Sequence, residues 1–471
     1  MNSIRHPHPL RLITMAWIAA LMLAPFAAHA ADSLDRGPMD LESIAVLDLE
    51  TAVRIALEDN PTIDIAKARV EQARQAIEQS KSAYWPRLDA SASGFRVALS
   101  KNAFESQQQL FQAIYGAGAA VDDPEMVYTA GLTGSWVLFD GFARKFNLAA
   151  AKHGLQSSEA AREDTRRLLV QAVTRSFSSA QLALESIAIA KADESFNQRL
   201  FTEAKLRYDV GTGALSDVLN FEVRANSTKS ERIVVERIYE TERIGLAALL
   251  GISQARLPRQ MRLAELAPVS EAELENPAAD RLIEGAYVLR PDLQQNEWLV
   301  RQAEADAAAR RADYYPTISI SAGINGDRTD DVGFESDDFG NSVGLNLTYN
   351  LFAGGLTRAQ VQAAKARLRE FEKIRDSAKI NVTSEVRNVV ERVLSAQKQL
   401  LLQRTNAALV RQNRDLVEKE YKAGVGSLVR LNEAQRDLIN AQVNLAVSRS
   451  ALRQAWFDLK SVTGQITQGF N

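Results

Sequence analysis

Apolar residues along this chain keep two different periods. In two long stretches they step by three and four: Leu169, Val173, Phe177, Ala180, Leu184 and Ile187 in the first, and Val386, Val389, Val393, Ala396 and Leu400 in the second. That spacing draws an apolar stripe along a helix, with the regularity of a coiled-coil seam. In four short stretches the period drops to two. Val343, Leu345, Leu347, Tyr349 and Leu351 alternate with Gly344, Asn346, Thr348 and Asn350, and Ile318, Ile320, Ala322 and Ile324 alternate with Ser319, Ser321, Gly323 and Asn325. Tyr128, Ala130, Leu132, Gly134, Trp136 and Leu138 do so less cleanly, as do Leu88, Ala90 and Ala92. These are predicted strands with one apolar face and one small or polar face. Their length of about ten residues, and the aromatic ends Trp85, Trp136, Phe139, Tyr315, Tyr349 and Phe352, suit a membrane barrel; strand by strand they suit an amphipathic soluble hairpin equally well.

Glycine and proline set the helix limits. Gly141 to Val210 runs 70 residues with Gly154 as its only internal glycine, and Gly354 to Ala423 is also 70 residues. At about 1.5 Å per residue each helix would be about 105 Å long. Two further runs of 37 residues, Ala214 to Leu250 and Ser427 to Thr463, follow the Gly-x-Gly turns, and runs of 25 residues, Pro61 to Trp85 and Pro291 to Tyr315, precede the strands. A 37-residue and a 25-residue helix end to end roughly match one of 70. Each long helix is therefore expected to pair with two shorter stacked ones, its antiparallel neighbour joined at the Gly-x-Gly turn.

These elements occur twice. Asn60-Pro61 and Tyr84-Trp85-Pro86 return 230 positions later as Arg290-Pro291 and Tyr314-Tyr315-Pro316. Thereafter the offset is 213: Trp136 to Gly141 returns as Tyr349 to Gly354, Tyr208-Asp209-Val210-Gly211-Thr212-Gly213 as Tyr421-Lys422-Ala423-Gly424-Val425-Gly426, and Leu250-Gly251 as Thr463-Gly464. The chain is a tandem duplication. The first repeat covers 49–250, with helices in 49–85, strands about 87–99 and 127–139, and helices 141–210 and 214–250. Residues 251–290, with Pro258, Pro268 and Pro277, read as a connecting belt. The second repeat covers 291–464, with helix 291–315, strands about 317–326 and 342–352, and helices 354–423 and 427–463, before a tail at 465–471. The change of offset puts 17 extra residues in the first hairpin loop, around Ser100 to Asp123, a stretch rich in Gln, Ala and Gly. The second loop carries Asp327, Asp330, Asp331, Glu335, Asp337 and Asp338 in a spacing that does not fit a calcium loop, and reads as solvated.

Composition narrows the function. Arg5 and Arg11, the apolar run Leu12 to Ala24 and Ala28-His29-Ala30 have the order of a secretory signal over 1–30, followed by an N-terminal extension at 31–48. Without that signal 54 basic residues face 59 acidic ones, which disfavours a nucleic-acid partner. The chain has no cysteine, and of its four histidines only His153 lies beyond the signal, so thiolate metal sites and histidine clusters are excluded. No nucleophile and base, metal cluster or phosphate loop stands out; Gly211-Thr212-Gly213 lacks the strand-turn-helix setting. Neither an enzyme nor a cofactor is expected. Beyond the signal no apolar run reaches 18 residues, so membrane insertion would have to use strands closed into a barrel. Four strands fall short of the smallest closed barrels, of about eight, so closure needs an oligomer; two or three copies both satisfy that.

The ordered set resembles outer-membrane efflux proteins of the TolC type, the outer membrane factors, over about Leu49 to Gly464. The shared features are the duplication, the Asn-Pro opening, the aromatic-Pro lead-in to each hairpin, the Leu-Phe-x-Gly exits at Leu138 to Gly141 and Leu351 to Gly354, and the Tyr-x-x-Gly-x-x turns. The resemblance implies a mainly α chain with a membrane β-barrel, forming a homotrimer with a twelve-stranded barrel in outer-membrane lipid and a twelve-helix periplasmic tunnel. It implies partners as well: a periplasmic adaptor (membrane fusion) protein and an inner-membrane transporter of the RND or ABC type. The duct would be passive and serve small-molecule efflux or type I protein secretion across a Gram-negative envelope; the missing lipidation cysteine leans toward non-lipidated members.

The same resemblance places a gate where the helices taper, at Asp217, Tyr421, Arg430 and Glu433. Gly426 stands where the family prototype has an arginine partner for the tyrosine, and Arg430 and Glu433 stand where it has two aspartates. A ring of Arg430 beside a ring of Glu433 would be roughly self-neutralising. Arg430, a cation in a first helical turn, is expected to pair between subunits. Asp217 serves equally as a first-turn acid, and Tyr208 and Tyr421 as packing at the tips. Tyr208, Gly211, Gly213, Gly424 and Gly426 would form the adaptor-docking turns, and Pro86, Phe139, Gly141, Pro316, Phe352 and Gly354 the barrel–tunnel junction. A periplasmic coiled-coil scaffold without a pore is the alternative; it explains the helices but not four strands at equivalent points.

Overall fold

Helix-forming residues fill the long runs and glycine, Gly154 apart, is kept to their ends, so backbone propensity and the apolar stripe agree. A computed structural model describes residues 41–121 and 123–470; the expected signal at 1–30, most of the extension at 31–48 and the last residue of the tail lie outside the described residues. The order is β1 (Val46–Leu47), α1 (Leu49–Asp59), α2 (Pro61–Ser82), β2 (Arg87–Val97), α3 (Lys101–Tyr115), β3 (Glu125–Phe139), α4 (Ala143–Asp209), α5 (Leu215–Leu249), β4 (Arg262–Leu263), α6 (Ala279–Leu289), α7 (Pro291–Arg311), β5 (Thr317–Thr329), β6 (Phe339–Thr348), α8 (Leu356–Lys422) and α9 (Leu428–Val462). α4 and α8 have 67 residues each. The stripe residues Leu169, Val173, Phe177, Ala180 and Ile187 on α4, and Val386, Val389, Val393, Ala396 and Leu400 on α8, are buried; Leu184 is half-buried.

Six of the helices form one layer four wide. In the half next to the sheet the order is α2, α4, α7, α8; in the other half it is α5, α4, α9, α8. α7 and α9 thus each pack on both long helices, and the two repeats interlock rather than stand side by side.

Stacked helices meet end to end by the same device in each repeat. Asn60 caps α2 by accepting from Thr62 N at 2.8 Å, while its Nδ2 donates to Leu249 O of α5 at 2.8 Å. At the equivalent place Arg290 donates to Val462 O of α9 at 3.3 Å, and Asp292 and Glu385 hold its guanidinium. Burial opposes the charge on Arg290, but the two carboxylates more than offset it and raise its pKa further. The glycines that end α5 and α9 lie in the left-handed region, Gly251 at φ 81° and Gly464 at φ 77°. A Cβ on Gly251 would sit 2.5 Å from Asp59 O, and one on Gly464 would sit 2.9 Å from Leu289 C, so backbone fills the space a side chain would need.

The strands form one antiparallel sheet in the order β2-β3-β5-β6. The register puts Leu88, Leu132, Ile324, Trp136, Ile320 and Leu345 on one face, and Ser91, Thr133, Ser135, Ser321, Asn325 and Asn346 on the other. Val343, Leu345 and Leu347 on the apolar face are 77%, 69% and 66% exposed. β2 and β6 are edge strands, each with one row of backbone groups unpaired in the sheet.

The belt after α5 lies on one face of the helix layer. β4 pairs in parallel with β1, and side chains from three helices satisfy belt carbonyls: Gln181 to Ala264 O, Arg453 to Ala267 O, Trp456 to Glu273 O and Gln397 to Glu275 O.

Three expectations are corrected. The insertion around Ser100 to Asp123 is not simply a loop: Ser100 N-caps α3, and the Gln- and Ala-rich run propagates it. The last part of the belt folds as α6, 11 residues with buried Ile283 and Ala286. β6 ends at Thr348, so Tyr349 to Phe352 lie beyond the strand.

Gly424 is also in the left-handed region, but a Cβ there would meet nothing within 4 Å. Gly424→Ala is expected to cost about 1–2 kcal/mol of backbone strain, and Gly251→Ala about 1–3 kcal/mol more from the clash. Thermal unfolding followed by helical circular dichroism orders the two; equal losses would contradict the end-to-end contact.

Candidate functional site

The chain's chemistry-bearing side chains converge at two ends of the helix layer. At the end remote from the sheet, both hairpin turns close alike. Thr212 N and Gly213 N donate to Arg207 O at 2.9 and 3.0 Å, and Val425 N and Gly426 N donate to Glu420 O at 3.1 and 3.0 Å. Gly211 and Gly424 supply positive φ, 75° and 77°. The second glycine of each turn has another reason to be bare: a Cβ on Gly213 would lie 2.9 Å from Arg207 Cβ, and one on Gly426 would lie 2.8 Å from Tyr421 N.

Behind the turns Phe196, Leu200 and Ala204 of α4, Val218 and Phe221 of α5, Val417 of α8, and Leu431 and Ala434 of α9 form a cluster that joins both hairpins. Tyr421 closes its rim. Its ring meets Phe221 edge-on at 6.3 Å between centroids, and the Arg207 guanidinium lies 5.9 Å from its centroid. Burial raises the pKa of the Tyr421 hydroxyl and the negative charge of Asp217 raises it further, so these two predicted residues share one electrostatic environment. Asp217 lies in the first turn of α5. Within its own chain Arg430 pairs with Glu420 across the turn at 3.1 Å. Both members are well exposed, which makes the pair weak and breakable. Glu433 and Tyr208 are exposed. Around them Val210, Leu215, Leu219, Val425 and Val429 present apolar surface at the tips.

At the other end Pro86 and Pro316 lead into β2 and β5, and Phe139 ends β3 with its ring edge-on to Phe142 at 5.5 Å. Gly141 has φ 62°, and a Cβ there would lie 2.6 Å from Ala312 O. Sequence reasoning missed Arg144. It pairs with Asp140 at 2.9 Å, donates to Val137 O at 2.7 Å and Leu138 O at 3.1 Å, and lies 5.1 Å from the centroid of Tyr84. One guanidinium therefore ties β3, α4 and the end of α2 together. The second junction has no counterpart: position 357 is Thr357, Gly354 has open space around its Cα, and Phe352 is exposed.

The sequence profile described as "outer membrane efflux protein" matches residues 52–252 and 282–465, one block on each repeat. The chain belongs to the outer membrane efflux protein family. Among its relatives, the alkaline protease secretion protein AprF of Pseudomonas aeruginosa is 24% identical over 91% of this chain and 86% of that protein. The outer membrane efflux protein BepC of Brucella suis is 24% identical over 81% of this chain and 82% of its own length. The fold is shared with the CmeC outer membrane channel of Campylobacter jejuni, at TM-score 0.74 and 17% identity, covering 89% of this chain and 86% of that one. In this efflux-family chain the interruption between the two blocks, 253–281, falls in the belt, and the second block takes in most of α6.

Between the tips and the belt, Asp193 of α4 accepts from Gln435 of α9 at 2.7 Å and from Asn197 at 3.1 Å. Burial raises its pKa, with Glu231 adding to the rise and Gln435 opposing it. A raised acid favours the fold while protonated: its contribution is complete below the unfolded value, near 3.8, and is lost as pH rises through the higher folded value. Asp193→Asn is therefore expected to unfold at a higher temperature than wild type at pH 7 and at the same temperature at pH near 3.5; a constant difference at both would contradict the assignment.

Proposed function

We propose that this chain is one protomer of an outer-membrane duct in an export system, with three copies closing the sheet into a twelve-stranded barrel and the helix layer into a twelve-helix tunnel. The observation that carries the reading is the sheet: its two edges are open, its apolar face presents exposed side chains on all four strands (Leu88, Leu132, Trp136, Ile324 and Leu345), and its other face is mainly small and polar, interrupted by Phe95, Val127 and Val137. Among the described residues no helix is long and apolar enough to cross a membrane. An exposed apolar sheet face needs lipid, and open edges in lipid need partners. A coiled-coil scaffold without a pore leaves both unexplained. In the closed ring the polar face and the bare face of the helix layer line the duct, and the belt, which would block the lumen, lies outside.

The duct is passive. A periplasmic adaptor docks on the tips at Tyr208, Gly211, Gly213, Gly424 and Gly426, where the turns are tight and apolar side chains are presented, and an inner-membrane transporter of the RND or ABC type supplies the energy. Asp217, Tyr421, Arg430 and Glu433 form the constriction. Opening moves the hairpins apart, and docking biases it by binding the open state more tightly. The exposed Arg430–Glu420 pair is the contact that the movement breaks at least cost. Relatives carrying the names efflux protein and protease secretion protein support cargo of either kind.

Protein extracted in detergent is expected to give discrete current steps in a planar bilayer. Arg430→Ala frees Glu420 and leaves Glu433 unopposed, so it should raise conductance and shift selectivity toward cations. A protein soluble without detergent that gives no steps would favour the scaffold, and steps indifferent to Arg430→Ala would remove the constriction from this place.

A further inference from the structure

The face of the helix layer opposite the belt carries a charge cluster that the duct reading does not require. On α9, Arg453 and Trp456 donate to belt carbonyls, whereas Asp458 lies about 140–200° round the helix from them. Asp458 is 3% exposed. Its Oδ1 accepts from Gln171 Nε2 at 3.1 Å and from Arg175 Nε and Nη2 at 3.0 and 2.7 Å, and its Oδ2 accepts from Arg392 Nη1 at 3.0 Å. α4, α8 and α9 are thereby joined by one carboxylate.

Two guanidiniums on one carboxylate leave a positive charge unmatched. A buried aspartate needs a cation, and one arginine with Gln171 would satisfy it; the second exceeds that need. Both arginines keep about half of their side chains exposed, 48% for Arg175 and 57% for Arg392. Beyond its contacts with Asp458, neither has another hydrogen-bonding partner among the described residues. They flank a depression of about 420 Å³ whose other polar lining, Ser395, Gln399 and Gln454, is neutral. Asp458 is the only acid that lines it. The buried carboxylate fixes the forks in place, so donors are aimed at the depression before any ligand arrives.

The geometry points to an oxyanion subsite partway along the duct: Arg175 and Arg392 of each protomer bind a small multivalent anion bearing phosphate or carboxylate groups, and three such subsites ring the lumen at one level. This rests on the duct reading for the placement of that face toward the lumen. Such a ring raises the local concentration of anionic cargo in a passage whose mouth is nearly neutral.

The test uses the full-length protein in a planar bilayer, with sodium tripolyphosphate or citrate added on the tunnel side. Both anions should block the current, and Arg175→Gln or Arg392→Gln should raise the half-blocking concentration of at least one by about tenfold, the loss of one charged hydrogen-bond donor. Each single change leaves Asp458 the other guanidinium and Gln171, and unchanged open conductance in high salt shows that the channel is intact. A shift confined to one anion identifies which oxyanion the site prefers. No block in wild type, or equal block in the variants, overturns the proposal. If wild type gives no current at all, it is the duct reading that fails; tripolyphosphate binding to the detergent-solubilised protein, retained or lost in Arg175→Gln, then decides the subsite by itself.

Discussion

A helix of 67 residues can be covered along its whole length only if the pieces laid beside it meet without a gap, and the end-to-end contact between stacked helices is the constraint on which this layer depends. The last carbonyls of one helix and the first amides of the next face each other there, all of them orphan groups. Asn60 resolves this in the first repeat by capping α2 and reaching Leu249 O with the same side chain. Arg290 resolves it in the second with a guanidinium held between Asp292 and Glu385. Gly251 and Gly464 let the backbones close to a distance that no side chain permits. The two solutions differ in chemistry and agree in position, which is what a duplicated unit would keep under selection for geometry alone.

The long helices were legible because their boundaries are local. Glycine ends them, proline is absent from them, and the expected limits 141–210 and 354–423 fall within two residues of Ala143–Asp209 and Leu356–Lys422. The sheet was legible for a related reason, since period two over ten residues leaves little choice of face. What escaped had either a misleading local composition or partners distant in sequence. Lys101–Tyr115 sits in a hairpin connection, where a loop is the default, and its Gln-rich composition masked a capped helix. Ala279–Leu289 follows three prolines and is stabilised by the core around Val386 and Leu459. Arg144 looks like any first-turn cation until β3 and α2 are placed around it, and the Glu420 partner of Arg430 escaped because it reaches the arginine only across the folded turn.

The repeats have diverged where function would use a difference. The first strand–helix junction is clamped by Arg144 and by a glycine in contact with backbone, whereas the second has neither. At the tips, Tyr421 is packed against Phe221 while its counterpart Tyr208 is exposed. Both hairpins are tied into the shared cluster, the first through Phe196 and Phe221 and the second through Val417 and Leu431, with Tyr421 at its rim.

The central claim is that the open edges of β2 and β6 are completed by other copies of the same chain, three in a closed ring. Native mass spectrometry of the protein released from membranes in mild detergent tests it most directly. The account predicts a single assembly of three chains; a monomer, a pair of chains with eight strands, or an open-ended series would contradict it.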